Sequence, residues 1–282
     1  MLDFLLQPAG FDIGETGWML FDSTQPLWRA VLVGLANTLR VSLPALMVAT
    51  LLGAMVALMR RSPAQALRAV GLFYTDAIRN VPLLVQLLLW YFLLIEWLPQ
   101  SNAAWHLAPG VLLSKGGLSF PWWDGAAGQW SWPAQGVFNV SGGAAVTPEY
   151  LAVAMALSLY TSAFLAEVIR GGLEAVPPSL AEVAQTLGAT KAQILRQVTL
   201  PQALRTIIPA ATNQYLNLIK NSSLAVAVGY PDLVSVSNTA ANQTGKALEC
   251  VGVMMAIYLM LSLLTSALMN TFNARHAMKG PA

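Results

Sequence analysis

Five runs of the chain contain no charged residue at all: Val41–Met59, Asn80–Ile95, Tyr150–Ala166, Thr206–Ile219 and Cys250–Ala274. A helix needs roughly 20 apolar residues to cross a hydrocarbon layer about 30 Å thick. Inside that layer every backbone N–H and C=O must be satisfied within the segment or within a closed barrel. The first run extends back towards Trp28, with Arg40 near its middle, and the second extends from Gly71 to Leu98. Lys220 cuts the fourth short. The pattern predicts an all-α polytopic membrane protein of about five transmembrane helices. Composition agrees, with 10% of the residues charged, 56% hydrophobic and a mean hydropathy of +0.58. Soluble domains carry about 25% charged residues, so these charges are too few to coat a soluble chain of this length. A net charge of +2 is too small to argue for nucleic acid as the main partner, and the single cysteine, Cys250, excludes a disulfide framework or a multi-cysteine metal site. The opening stretch has an acid, Asp3, and no basic segment, so it does not read as a cleavable signal peptide.

Charge placement predicts orientation, because short cytoplasmic loops collect Lys and Arg. Arg60, Arg61 and Arg68 separate the first two runs. Arg170, Lys191, Arg196 and Arg205 separate the third and fourth, and Arg275 and Lys279 follow the fifth. Residues 1–27 hold Asp3, Asp12, Glu15 and Asp22 with no Lys or Arg, and Pro99–Pro148 holds only Lys115 and Asp124. The expected organisation is an outer N-terminal segment 1–27, a transmembrane domain 28–274 with an outer loop 99–148 and a cytoplasmic loop 171–200, and a cytoplasmic tail 275–282. Trp105, Trp122, Trp123, Trp130 and Trp132 give the outer loop the composition of a water–lipid boundary.

The inner loop is written as helix, turn, helix. Pro177-Pro178 ends the preceding helix, and Ser179 with Glu182 reads as a capping box opening a new one. Gly188 fits the left-handed position that stops it, Thr190 with Gln193 is a second capping box, and Pro201 is expected to break the following helix. Leu180, Val183, Ala184 and Leu187 share one face. The pattern imitates a DNA-reading helix-turn-helix. However, the second helix carries only Lys191 and Arg196, and both ends run directly into membrane spans, so duplex access and phosphate neutralisation are poor.

Glu182 to Gly188, nine further residues, then Val198-Thr199-Leu200-Pro201 resembles the EAA loop of permease subunits of binding-protein-dependent ABC importers, with Val183 and Val198 as conservative departures. Asn37-Thr38-Leu39, Arg79 to Gln86 and Tyr160 to Gly172 look like the polar amino acid branch, and the tail from Gln214 is similar to general L-amino-acid permeases of Gram-negative bacteria. Pro178-Ser179-Leu180-Ala181 departs from the Gly-Gln those relatives often carry before the EAA glutamate.

The resemblance implies an inner-membrane permease with two cytoplasmic ATP-binding subunits, a second permease, identical or homologous, and a periplasmic amino-acid-binding protein. It implies an L-amino acid as solute and lipid as surroundings, with no nucleic acid. Thr244-Gly245-Lys246-Ala247 lacks the first glycine and the hydroxyl of a phosphate loop. The chain is therefore expected to be non-catalytic and cofactor-free, with ATP and Mg on the partner ATPase. Ser179, Glu182, Val183, Ala184, Leu187, Gly188 and Pro201 are the expected ATPase-coupling residues. Polar groups in the spans are candidates for a zwitterionic solute: Asn37, Thr38, Gln86, Thr161, Ser162, Asn217 and, near the cytoplasmic end, Glu167. Hydrogen bonding between helices is the competing role for each. An ion-gradient-driven secondary transporter is the alternative class. It normally buries carboxylates midway along its spans, whereas Glu96, Glu149, Glu167 and Glu249 lie near span ends.

Overall fold

A computed structural model describes residues 3–17, 19–125 and 127–276, with side chains in the last helix described as far as Thr271. Of the expected tail 275–282, Arg275 and His276 continue the last helix, and residues 277–282, with Lys279, lie outside the described residues. A 3-10 turn, Asp3–Leu6, precedes helix α1 (Leu27–Arg60), followed by α2 (Gln65–Arg79) and α3 (Leu83–Trp97). Eight short strands come next: β1 (Trp105–Ala108), β2 (Val111–Ser114), β3 (Gly117–Phe120), β4 (Trp122–Asp124), β5 (Gln129–Ser131), β6 (Ala134–Gln135), β7 (Val140–Ser141) and β8 (Ala144–Val146). Then follow α4 (Pro148–Glu174), α5 (Pro178–Thr186), α6 (Lys191–Gln193), a π-turn (Ile194–Thr199), α7 (Leu200–Asn221), a 3-10 segment (Ser222–Val228), α8 (Leu233–Thr244) and α9 (Ala247–His276).

Among the described residues, α1, α4 and α9 are long and apolar enough to cross a membrane, and α2 with α3 forms a fourth such unit bent by 102°. The single span expected over 71–98 is therefore broken. Pro82 has no N–H and bars Val81 from the helical region. Gln86 Nε2 then donates to the carbonyls freed at the bend, Ile78 at 2.8 Å and Val81 at 2.9 Å. α7 occupies the place of the expected fourth span with a more polar sequence, and α8 was not anticipated.

Two expectations for the inner loop also change. Ser179 and Glu182 form no capping box, because α5 starts two residues earlier than that box requires, at Pro178 with Pro177 as its N-cap and no side-chain cap. Proline at a helix's first position is already preset for it. Pro201 does not break its helix. The π-turn just before it widens the helix where the proline ring and missing N–H would conflict with a tight turn, and the helical run from Lys191 continues to Asn221.

The frame is built on α1 and α4. Ala45, Ala49, Gly53 and Ala57 recur at every fourth position of α1, all buried. Facing them, α4 buries Ala152, Ala156, Ala163 and Ala166. Small residues let backbones approach closely where lipid offers no hydrophobic drive to associate. A Cβ on Gly53 would lie 2.8 Å from Leu165 Cβ and 3.0 Å from the Ser162 carbonyl oxygen. Nearer the strands, Pro44 interrupts α1 and leaves the Arg40 carbonyl without its helical donor; the Tyr150 hydroxyl of α4 donates to it at 3.1 Å.

The strands form antiparallel sheets in the orders β1-β2-β3-β8, β4-β5 and β6-β7, a folded insert in place of the expected loop. The N-terminal segment packs at the same end, where Glu15 pairs with Arg40 at 2.6 Å and accepts from Thr147 Oγ1 at 2.8 Å.

Replacing Gly53 with Val should destabilise the fold by about 1–3 kcal/mol through overpacking. Gly252→Ala, on α9 with nothing within 4 Å of the added Cβ, should not. Thermal unfolding of the purified proteins in detergent should show a lowered midpoint for Gly53→Val alone.

Candidate functional site

Between α4 and α7 lies a cavity of about 130 Å³ lined by Tyr160, Thr161, Phe164, Gln214, Asn217 and Asn221. The α7 contributors are spaced i, i+3 and i+7, so their three carboxamides form one stripe. On α4, the Tyr160 and Phe164 rings pack with centroids 4.9 Å apart. No lining residue is ionisable except the tyrosine. Carboxamides and hydroxyls offer both donors and acceptors, a combination suited to an ammonium and a carboxylate on one small molecule.

Beside the cavity, at the end remote from the strands, Glu167 gathers three arginines from three helices. Arg60 of α1 bonds its Oε1, Arg79 of α2 approaches the same oxygen at 3.5 Å, and Arg170 holds Oε2 at 2.9 Å. Arg170 also reaches Glu174 at 2.5 Å. The Arg79 guanidinium lies over the Phe164 ring, 5.1 Å from its centroid, so the ion cluster abuts the cavity wall. Removing one partner from such a half-buried cluster leaves charge uncompensated.

Four sequence-derived candidates do not line the cavity. Asn37 Nδ2 donates to the Glu15 and Pro231 carbonyls at 2.7 and 3.0 Å. Thr38 donates to the Gly34 carbonyl at 3.0 Å and accepts from Leu233 N–H at 3.1 Å. Gln86 ties the bend between α2 and α3. Ser162 shares a 2.6 Å hydrogen bond with Tyr74 and donates to the Leu159 carbonyl at 2.8 Å. Thr161 and Asn217 do meet in the cavity, and Glu167 stands next to it. Tyr160, Phe164, Gln214 and Asn221 went unread; the spacing of Gln214, Asn217 and Asn221 was the available signal.

The loop α5–α6 projects from the same end as Glu167. Leu187 caps α5, Gly188 N–H bonds the Gln185 carbonyl and Ala189 N–H bonds that of Ala184, both at 3.0 Å. That is the Schellman pattern, which requires a left-handed residue after the cap, and Gly188 has φ +84° with nothing within 4 Å of an added Cβ. The Thr190–Gln193 capping box is formed in both directions. Leu180, Val183 and Leu187 are exposed, the last by 81%. Ser179 and Glu182 are exposed beside them, Ala184 is half-buried, and Pro201 sits half-buried at the start of α7.

The family of binding-protein-dependent transport system inner membrane components matches residues 49–277. The chain belongs to that family. A putative amino-acid ABC transporter permease protein of Escherichia coli is 38% identical over 97% of this chain and 84% of its own length. The general L-amino acid transport system permease protein AapQ of Rhizobium johnstonii is 35% identical over 98% of this chain and 83% of its own. Among solved structures, an amino acid ABC transporter crystallised with histidines superposes with a TM-score of 0.65 at 28% identity, covering 88% of this chain and 94% of that one. The MetNI methionine transporter, at 19% identity and a TM-score of 0.56, shares the fold. As an ABC importer permease, the protein is a transport component and not itself catalytic. Among its described residues no cluster of three or more His, Cys, Asp or Glu could hold a metal.

Asn37→Ala removes two buried hydrogen bonds, each worth about 1 kcal/mol, and should lower the thermal midpoint of the permease. Asn217→Ala, whose side chain faces the cavity, should leave it unchanged.

Proposed function

We propose that this permease forms the path of an ATP-driven L-amino acid importer and couples it to two cytoplasmic ATP-binding subunits. A second permease, identical or homologous, and a periplasmic amino-acid-binding protein complete the assembly in the bacterial inner membrane. The observation that carries the reading is the uncovered apolar face of α5, Leu180, Val183 and Leu187, connected to a helical run whose far half lines the cavity. An amphipathic helix of this kind docks in a partner's groove. Closure of the ATPase pair would push on α5, and the run from Lys191 to Asn221 would carry the displacement to Gln214, Asn217 and Asn221. Ser179 and Glu182 sit on the docking helix, Gly188 sets its angle, and Pro201 lies at the wide turn between loop and cavity. ATP and Mg belong to the partner subunit; this chain binds no cofactor.

In the cavity, Thr161, Asn217 and their neighbours would hydrogen-bond the ammonium and carboxylate of the solute, replacing water where a bare charge is costly. Glu167, held by Arg60, Arg79 and Arg170, would fix the electrostatics at the inner exit. The basic bias orients the N-terminus to the periplasm and the C-terminus to the cytoplasm, putting α5 beside the ATPase. For an ion-coupled carrier the relevant group is Asp232, fully buried in the hydrogen-bonded frame. Its Oδ1 caps α8 by accepting from Ser235 N–H at 2.8 Å, and its buried Oδ2 has no hydrogen-bond partner.

Gly188→Arg forces a side chain into a left-handed conformation at roughly 1–2 kcal/mol without a clash, so insertion should survive. In reconstituted complexes it should abolish the stimulation of ATP hydrolysis by solute-loaded binding protein, and normal stimulation would refute the coupling role. Uptake into vesicles should require ATP and persist when ionophores collapse ion gradients; the reverse would establish an ion-coupled carrier. Periplasm-active phosphatase fusions should be active after Trp123 and inactive after Arg61 and Lys191, and an active fusion at Lys191 would overturn the orientation.

A further inference from the structure

A second recess lies outside this path. It has a volume of about 800 Å³ and opens between the strand insert and α1. Leu39, Leu43 and Pro44 form its floor, with Phe120, Trp122 and Val146 above. Pockets of roughly 300–1,000 Å³ accommodate molecules of substantial size. We propose that it is a lipid site: an acyl chain of a phospholipid, from the leaflet at the insert end, lies between Trp122 and α1.

Three observations select this occupant. The floor continues a ridge along α1, Leu39, Leu43, Met47, Leu51 and Met55, at four-residue spacing. Its last four members are 51–72% exposed in the chain, as expected of a lipid-facing stripe. The recess is continuous with this exposed apolar stripe. The roof carries aromatic rings, with Phe120 and Trp122 edge-on at 6.0 Å, and aromatic side chains concentrate where acyl chains meet headgroups. The only charged group in the lining, Arg40, is already balanced by Glu15 at 2.6 Å and lies over the Tyr150 ring at 5.4 Å. No net charge remains to recruit an acidic protein segment or the free carboxylate of a solute, and an uncharged chain meets no unpaired group. Pro44, having no N–H, adds no orphan donor to the floor.

The site is separate from the solute cavity between α4 and α7, so its test does not depend on which amino acid is carried. The assembled transporter, in proteoliposomes containing phosphatidylcholines that carry diazirines along the acyl chain, from near the headgroup to near the terminus, would be irradiated and its labelled peptides mapped. Label is expected on the Phe120–Trp122 peptide as well as on α1 and on the exposed α9 residues Leu259, Leu263 and Leu264. Ala144→Trp, which fills the roof from β8 on the face it shares with its partner Phe120, should reduce label on Phe120–Trp122 about tenfold, equivalent to roughly 1.4 kcal/mol of binding, with α9 labelling unchanged. Ala36→Phe fills the recess from α1 and serves if the β8 variant does not fold. Background labelling at Phe120–Trp122 in the natural protein would overturn the proposal, as would label that both filling variants leave untouched. Cross-links from Trp122 to another protein chain in place of lipid would also overturn it.

Discussion

The close approach of α1 to α4 along small side chains is the constraint on which the other contacts depend. In hydrocarbon, apolar side chains gain nothing by leaving lipid for each other, so association rests on van der Waals fit and internal hydrogen bonds. Ala45, Ala49, Gly53 and Ala57 supply the fit, and α4 answers with alanine, Ser158 and Ser162. Once these backbones are close, Tyr74 can reach Ser162, Thr50 can share a 3.0 Å hydrogen bond with Tyr215, and α7 is drawn into the same packing. A larger residue at Gly53 would separate all of these partners together.

The ion pairs of this frame lie at its two ends, while the buried carboxyl of Asp232 caps α8. At the strand end Arg40 meets Glu15; at the other, Glu167 and Glu174 balance arginines from α1, α2 and α4. Between them the polar groups are uncharged, and most are spent on backbone carbonyls. The cavity between α4 and α7 stands out because its carboxamides project into shared space instead of closing a helix contact. That difference separates Asn217 from Asn37, although both are asparagines in apolar helices.

Features set by local chemistry were legible from the residues. Apolar runs located α1, α4 and α9 because length and composition suffice for a span. Gly188 and the Thr190 cap were readable because each acts within a few residues. Ser179 misled because Pro178 had already started the helix, a competition between two valid start signals. The break at Pro82 was present in the sequence, but a proline alone does not reveal a 102° bend; the turn needed Gln86 to satisfy the freed carbonyls. The strands of the insert are two to four residues long and exist through pairing, so no periodicity announced them. The cavity needed two helices side by side, and that neighbourhood comes from the small-residue stripe.

The bond from the Tyr150 hydroxyl to the Arg40 carbonyl has a mechanical consequence. On the strand side of Pro44, α1 is fastened to the segment leading into α8, through Asn37 and Pro231, Thr38 and Leu233, and the Tyr230 hydroxyl on the Asn37 carbonyl. On the other side it is fastened to α4. The rung missing at Pro44 is supplied by the first turn of α4, whose Tyr150 ring also lies under the Arg40 guanidinium and packs against Tyr230. One tyrosine therefore splints α1 across its proline from outside the helix, and ties that splint to the segment leading into α8.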